Sequence, residues 1–129
     1  SWAYSLLFFQ MLDKSTGFPL GQIGFHTINL RHSKAEIGYL LYDQKNSGKG
    51  LMQEAATVVF RYGFEVLNLI RIEAMTGITN EASKKILVNA GFKEEGLLKA
   101  NYLRDGIAED SIMYGLLRND WAIKNAESK

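Results

Sequence analysis

The chain has 129 residues, of which 47% are hydrophobic and 22% are charged, a composition typical of one folded domain and not of a disordered segment. Fifteen Lys and Arg residues against 14 Asp and Glu residues give a net charge of +1. This balance argues against the usual polybasic nucleic-acid binders and gives no reason to expect an anionic membrane surface as partner. The absence of cysteine excludes disulfides, thiolate zinc sites and a cysteine nucleophile.

Two further features favour a soluble, cytoplasmic protein. No apolar run approaches the roughly 18 to 20 residues that a bilayer-spanning helix requires. Residues 1–4 lack the basic residues with which a signal peptide begins.

The first half of the chain has the pattern of three antiparallel strands joined by short loops. An apolar and aromatic run over residues 4–12 ends in the turn residues 13–17, and two more apolar runs cover residues 21–30 and 35–42. From residue 51 onward, apolar spacings of three and four predict a helix of about 17 residues. Its predicted inner face consists of Leu51, Ala55, Val58, Val59, Tyr62 and Val66.

The second half adds a short strand over residues 71–75 and a helix over residues 80–90 that ends at Gly91. Two strands, 92–103 and 107–117, are predicted next, and residues 118–129 form a polar tail expected to be a frayed helix. The order β-β-β-α-β-α-β-β predicts one α/β domain with a mixed sheet over residues 1–129. The predicted inner face of the second helix consists of Ala82, Ile86, Leu87 and Ala90.

A glycine-rich stretch, Q-K-N-S-G-K-G, covers residues 44–50 between a strand and the long helix. Glycine permits close approach of a ligand, and the first amides of a helix lack intrahelical partners and lie at its positive end. Such a site suits a phosphate or pyrophosphate, and Lys49 could add charge; the alternative is a plain glycine-rich connection. A P-loop is excluded because Asp43 and Gly50 occupy positions that require Gly and Ser or Thr. A Rossmann loop is excluded because the preceding strands look antiparallel and no third glycine follows.

A second segment, T-N-E-A-S at residues 79–83, opens the second helix. Together the two segments resemble the GNAT superfamily of acetyl-CoA-dependent N-acetyltransferases, and in particular the group that acetylates the N-termini of ribosomal proteins. The likeness covers residues 20–121 and implies a mostly antiparallel sheet flanked by helices. Further residues carry it by their order and spacing: Ile37, Gly38, Tyr39, Leu51, Met52, Glu54, Ala55, Phe64, Arg71, Ile72, Glu73, Gly91, Phe92, Glu95, Gly96, Arg104, Asp105, Gly106, Asp110 and Trp121.

The resemblance implies a cofactor site for acetyl-CoA. The pantetheine arm would lie beside Leu40 and Leu41, where that strand splays from the next, and Asn80 would contact the arm. The coenzyme A pyrophosphate would be held by Lys45, Asn46, Ser47, Gly48, Lys49 and Gly50.

The resemblance also implies two catalytic residues. Ser83 matches a serine suspected of protonating the departing thiolate, and Glu36 lies on the strand where many members place a general base. Each residue has an ordinary structural alternative. Asn80 can be a helix N-cap, Ser83 can bond locally, and Glu36 can be a solvated strand carboxylate.

Three departures from the family pattern are visible. Lys45 replaces the usual Gln or Arg, and Leu87 replaces a tyrosine that many members use as general acid, which leaves Ser83 or water for that role. Family members also begin with one more strand and one or two helices that help form the acceptor site, so about 40 residues are expected to be absent.

The implied function is transfer of an acetyl group from acetyl-CoA to a primary amine, by direct attack and without a covalent enzyme intermediate. The acceptor is a protein N-terminus, such as that of a ribosomal protein, or a small amine. The alternatives are a coenzyme-A-binding module without transferase activity, a polyamine or aminoglycoside acetyltransferase, and a fragment completed by a partner chain.

The remaining expectations concern a metal, individual side chains and assembly. His26 and His32 have no partner at metal-ligand spacing, so no metal is assigned. Asp110 is expected to hold the 104–106 hairpin, Tyr114 to lie in the core, and Trp121 to pack the tail onto the sheet. The apolar strand over residues 4–12 predicts a homodimer, because a long apolar edge invites another chain.

Overall fold

The computed structural model describes residues 4–127 and contains six strands and three α-helices in that range. The mixed α/β class and the order of elements are confirmed. None of the helices in the described range has the length and hydropathy that a membrane-spanning segment requires. The elements are β1 (Tyr4–Leu12), β2 (Pro19–Asn29), β3 (Lys34–Leu41), α1 (Leu51–Arg61), β4 (Arg71–Gly77), α2 (Glu81–Ala90), β5 (Lys93–Arg104), β6 (Ile107–Leu117) and α3 (Arg118–Glu127).

The chain divides into two compact units, one that ends at Ile72 and one that starts at Glu73. In the first unit, β1, β2 and β3 are consecutive antiparallel neighbours, as predicted. Phe25 of β2 pairs with Ile37 of β3, and both side chains are buried. Ile23 is buried on the same face of β2, because alternate residues of a strand share a face.

Helix α1 packs with a different stripe of residues from the predicted one. Met52, Ala56, Val59 and Phe60 are buried, and of the predicted inner face only Val59 is among them. Five of the six residues of the predicted stripe line a groove of about 650 Å³ between α1 and β1, together with Phe9: Leu51, Ala55, Val58, Val59 and Tyr62. Apolar residues occupy two adjacent stripes of this helix, so spacing alone does not tell which stripe meets the sheet.

The helical run continues past α1 as a π-helical turn, Tyr62–Val66, so its length agrees with the prediction. The backbone N–H of Leu67 donates to the carbonyl oxygen of Tyr62 at 3.1 Å, and Asn68 follows with a φ of 57°. Gly63 lies where the wide turn meets β2, and a Cβ on it would be 2.9 Å from the ring of Phe25. The absence of a side chain therefore lets this turn pack closely against β2.

In the second unit, the strands neighbour one another in the order β4, β6, β5. Asp105 (φ 52°) and Gly106 (φ 80°) form the turn between β5 and β6, in the left-handed conformation that tight hairpins prefer. Helix α2 ends at Gly91 with a φ of 102°, as predicted from sequence. Its buried residues are Ser83 and Leu87, one turn apart, while Ala82 is exposed, so the predicted inner face is wrong at Ala82.

The carboxylate of Asp110 links the two strands of the 104–106 hairpin, at a bulge in β5 rather than at the turn itself. Its Oδ1 accepts the backbone N–H of Ala100 at 2.8 Å, where Ala100 has a φ of 49°. The strand register shifts around this residue, between Leu98 and Tyr102. The hydrogen bond from Ala100, aided by the charge of Lys99, lowers the pKa of Asp110 below its usual value.

Tyr114 and Trp121 are two aromatic residues of this unit, expected to lie in the core and to pack against the sheet, respectively. Tyr114 is buried, as predicted, and its hydroxyl donates to Oε1 of Glu94 at 3.3 Å. Trp121 is half-buried in α3, the helix formed by most of the predicted tail.

Candidate active site

The loop between β3 and α1 starts with a short 3-10 turn, Gln44–Asn46, that is held by Asp43. Oδ1 of Asp43 accepts the backbone N–H of Lys45 at 3.0 Å. This hydrogen bond, with the nearby charges of Lys45 and Lys49, lowers the pKa of the Asp43 carboxyl below its usual value. This cap is not among the sequence-based expectations, although an Asp ahead of a turn is a common sign of it.

Two glycines complete the loop with φ angles in the left-handed region, 82° at Gly48 and 76° at Gly50. A Cβ built on either glycine would meet no atom within 4 Å, so the backbone is open on that side. Gly50 is the N-cap of α1 and has no side chain to bond the first amides of the helix. The backbone N–H groups at the start of α1 can therefore donate hydrogen bonds to an anion, as a pyrophosphate site requires.

The two lysines of the loop add positive charge to this surface. Nζ of Lys45 lies 3.5 Å from Oδ2 of Asp43, and Nζ of Lys49 donates to Oδ1 of Asn46 at 3.3 Å. Both contacts are exposed to solvent. Two ammonium groups beside one carboxylate leave the loop electropositive, which favours an anionic ligand.

The end of β3 carries the next two predicted residues of the cofactor site. Leu40 and Leu41 pair with Gln22 and Gly21 of β2, and the side chain of Leu40 is exposed despite its size. Leu40 and Leu41 lie just before the loop in the same unit. The predicted cofactor residues from Leu40 to Gly50 therefore lie within one short stretch of the chain.

Glu36 lies on β3 of the same unit and contacts His26 of β2, which was not predicted to be part of the site. Its Oε2 is 3.3 Å from Nε2 of His26 on β2. The side chain of Glu36 is 17% exposed and that of His26 is 42% exposed. Sequence spacing did not indicate this pair, because it depends on the register between two strands.

The second unit carries Asn80 and Ser83 at the start of α2. Oδ1 of Asn80 accepts the backbone N–H of Ser83 at 3.1 Å, so the predicted N-cap is confirmed. The cap uses the oxygen of the Asn80 side chain and leaves its amide nitrogen available as a donor. Ser83 is buried.

Potential metal ligands are dispersed in the part of the chain that the structure describes. Within residues 4–127, no three His, Asp or Glu side chains come together in a group that could hold a metal ion.

Comparison with known proteins adds independent information. Residues 2–93 match the family model described as an acetyltransferase (GNAT) domain. The chain is 38% identical over 114 residues to the uncharacterized N-acetyltransferase p20 of Bacillus licheniformis, a match that covers 88% of this chain and 64% of that protein. It is 33% identical over 119 residues to the ribosomal protein uS5-alanine N-acetyltransferase of Escherichia coli, covering 91% of this chain and 60% of that protein.

A solved structure agrees with these matches. The crystal structure of the ribosomal-protein-S5-alanine acetyltransferase of Vibrio fischeri superposes with a TM-score of 0.83 and 32% identity, over 90% of this chain and 63% of that one. The chain thus spans less than two thirds of the length of these relatives. The family match, the sequence identities and the shared fold together show that this chain belongs to the GNAT acetyltransferase family.

Proposed function

We propose that the protein transfers an acetyl group from acetyl-CoA to a primary amine. The observation that carries the proposal is the loop ahead of α1, where Gly48 and Gly50 leave the backbone open at a helix N-terminus in a chain of the GNAT family. The loop residues Lys45 to Gly50 would bind the pyrophosphate of acetyl-CoA through backbone amides. Leu40 and Leu41 would contact the pantetheine arm, and the amide nitrogen of Asn80 would donate to it.

The chemistry is a direct attack on the thioester. The acceptor must lose a proton before its nitrogen can attack the carbonyl carbon, and Glu36 assists that step. The C–N bond forms as the C–S bond breaks, and Ser83 supplies a proton to the departing thiolate. Backbone amides near Leu41 would polarise the carbonyl as negative charge develops on its oxygen. Binding both reactants in one orientation contributes most of the rate.

The acceptor we propose is the N-terminal amine of a protein, in the cytoplasm. The support is that relatives with 33% and 32% identity carry the name ribosomal-protein alanine acetyltransferase. Spermidine and an aminoglycoside are the small-amine acceptors against which this choice is tested.

The active form we propose is a homodimer that pairs along β1. Among the described strands of the first unit, β1 is the terminal one and contacts β2 alone. Leu6 and Leu12 are 68% and 57% exposed, and Phe8 is also exposed. Exposed apolar strand edges invite pairing with another chain.

Sedimentation tests this dimer. We expect Phe8→Lys to dissociate it, and we expect the control Phe18→Lys to leave it intact, because Phe18 is exposed but lies outside β1. A parent protein that is monomeric at micromolar concentration would contradict the dimer.

The function is tested by binding and turnover measured separately. Calorimetry with acetyl-CoA and with coenzyme A tests the cofactor site, and thiol release tests transfer to an N-terminal alanine peptide, spermidine and an aminoglycoside. We expect binding of both cofactors and thiol release with the peptide. Binding without thiol release for any amine would favour a coenzyme-A-binding module, and absence of binding would contradict the cofactor site itself.

A further inference from the structure

Strand β2 contains a bulge at His26. Phe25 pairs with Ile37 of β3 and Thr27 pairs with Glu36, so His26 is an extra residue without a pairing partner in β3. The register between β1 and β2 shifts at the same level of the sheet, between Ser5 and Leu7. Bulges of this kind re-aim a side chain and are common next to active sites.

Three neighbours hold the imidazole of His26 in place. Its Nε2 lies 3.3 Å from Oε2 of Glu36, and its Nδ1 lies 3.3 Å from the hydroxyl oxygen of Thr27. The ring also covers Gly38, where a Cβ would be 2.7 Å from the ring atom Cδ2. The imidazole is more exposed than the carboxylate it contacts, 42% against 17%. An incoming amine therefore meets the ring of His26 more readily than the carboxylate of Glu36.

We propose that His26 accepts the proton of the acceptor amine and that Glu36 is a positioning residue that orients the imidazole; this rests on the proposed acetyl transfer. With the N–H of Nε2 donated to Glu36, the lone pair stays on Nδ1, beside the hydroxyl of Thr27. The acceptor ammonium gives one proton to Nδ1, directly or through that hydroxyl, and the proton then leaves to solvent. The neutral amine forms the C–N bond as the C–S bond breaks, the thiolate takes its proton from Ser83 as proposed above, and the second proton of the amine restores the Ser83 hydroxyl.

The placement of the pair along β3 agrees with this role. Glu36 is five residues before Leu41, a distance of about 17 Å at a strand rise of ~3.3 Å per residue. A pantetheine arm that contacts Leu40 and Leu41, as proposed, and follows β3 would carry the thioester toward Glu36 and His26.

Two charged residues of β3 lie near the ring. Glu36 contacts it, and Lys34 lies two positions away on the same face of β3. On the other side, β1 contributes Leu6 and Leu7, which carry no titratable group.

The kinetic test compares His26→Ala and Glu36→Gln with the parent, and His32→Ala serves as the control because His32 is exposed and lies outside the pair. Acetyl-CoA affinity should be unchanged in all three variants. Turnover of His26→Ala should fall by about 10²- to 10⁴-fold, as expected for loss of a general base. Added imidazole should restore part of that turnover, because the substituted position is open to solvent. Turnover of Glu36→Gln should fall less.

The pH dependence separates catalysis from structure. Imidazole is the side chain that ordinarily changes charge between pH 5 and 8. We expect kcat/KM of the parent to decline with acid across this interval and His26→Ala to lack that decline. In the protein without cofactor, the ring signals of His26 in nuclear magnetic resonance spectra should move when Glu36 is replaced by Gln, while those of His32 stay in place.

Each contrary result has a distinct meaning. Parent-like turnover in His26→Ala would overturn the role of His26, and a larger loss in Glu36→Gln would then identify the carboxylate itself as the base. Unmoved ring signals in Glu36→Gln would overturn the pair. A parent that binds acetyl-CoA but releases no thiol with any amine would overturn acetyl transfer and the role of His26 together. If the parent releases thiol, a contrary result in the variants contradicts only the roles of His26 and Glu36.

Discussion

The imidazole of His26 occupies the space that a side chain at position 38 would fill, since a Cβ built on Gly38 would lie 2.7 Å from Cδ2 of the ring. The φ angle of Gly38 is outside the left-handed region, so the glycine is required by its neighbour and not by backbone strain. A residue in β3 thus determines where a side chain of β2 can lie.

Gly38→Ala should therefore displace the imidazole and reduce turnover while the protein stays folded. Misplacement by about 1 Å can cost as much as 10²-fold in rate, so we expect a loss of at least ~10-fold in kcat. Gly96→Ala is the matched control, because a Cβ there would meet nothing within 4 Å. Thiol release and thermal unfolding of both variants check this; equal turnover in the two would show that the position of the ring does not matter.

Gly48→Val should weaken acetyl-CoA binding by filling the open side of the loop and straining its backbone. Strain alone could alter the protein, since a β-branched residue at positive φ costs about 1–3 kcal/mol. Gly17→Val provides the control, because Gly17 has a similar φ of 74° and open space but lies in the turn between β1 and β2. Calorimetry should show weaker acetyl-CoA binding for Gly48→Val and unchanged binding for Gly17→Val. If both variants bind as the parent does, the pyrophosphate lies elsewhere.

Asn80→Ala should lower the free energy of unfolding by about 1 kcal/mol through loss of the N-cap of α2. Asn80→Asp should preserve the cap, because an Asp oxygen accepts the N–H of Ser83 equally well. It nevertheless removes the amide nitrogen and adds negative charge, so its acetyl-CoA affinity should fall. Unfolding curves and calorimetry separate the two roles. If Asn80→Asp binds acetyl-CoA as tightly as the parent does, Asn80 caps the helix but does not bind the cofactor.

Ser83→Ala should lower kcat more than it changes the affinity for acetyl-CoA, because a proton donor to the thiolate acts only along the reaction path. Ser111→Ala is the comparison for loss of a buried hydroxyl in the same unit. Turnover at saturating acetyl-CoA is the deciding measurement. Unchanged turnover in Ser83→Ala would remove the hydroxyl from the mechanism, and reduced stability without reduced turnover would indicate a local structural role.

Asp110→Asn should reduce stability near neutral pH and have little effect in strong acid. The pKa of Asp110 is lowered in the folded state from 3.8, so its carboxylate favours folding above the unfolded-state pKa. That contribution disappears as the pH falls through the lower, folded-state pKa. Thermal unfolding of parent and variant across this range should show melting temperatures that converge toward acid. A difference that persists well below pH 3.8 would mean that the charge of Asp110 is not its cause.

Much of the fold follows from local signals in the sequence. The bounds of β1 and β6 agree with the apolar runs, and Asn80 and Gly91 bound α2 because cap and turn preferences act over a few neighbouring residues. The glycines ahead of α1 likewise indicate an open loop. The roles of the predicted cofactor and catalytic residues stay predictions.

Local signals of this kind do not predict which residues meet between strands or which side of a helix is buried. Apolar residues on two stripes of α1 left its buried side undetermined, because only the sheet it meets selects Met52 and Ala56 over Leu51 and Ala55. The bond from Ala100 to Asp110 depends on a bulge that shifts the register of β5 against β6. The pairing of His26 with Glu36 depends on another bulge in β2. Register is a property of paired strands, so residues far apart in the chain meet only after the sheet has formed.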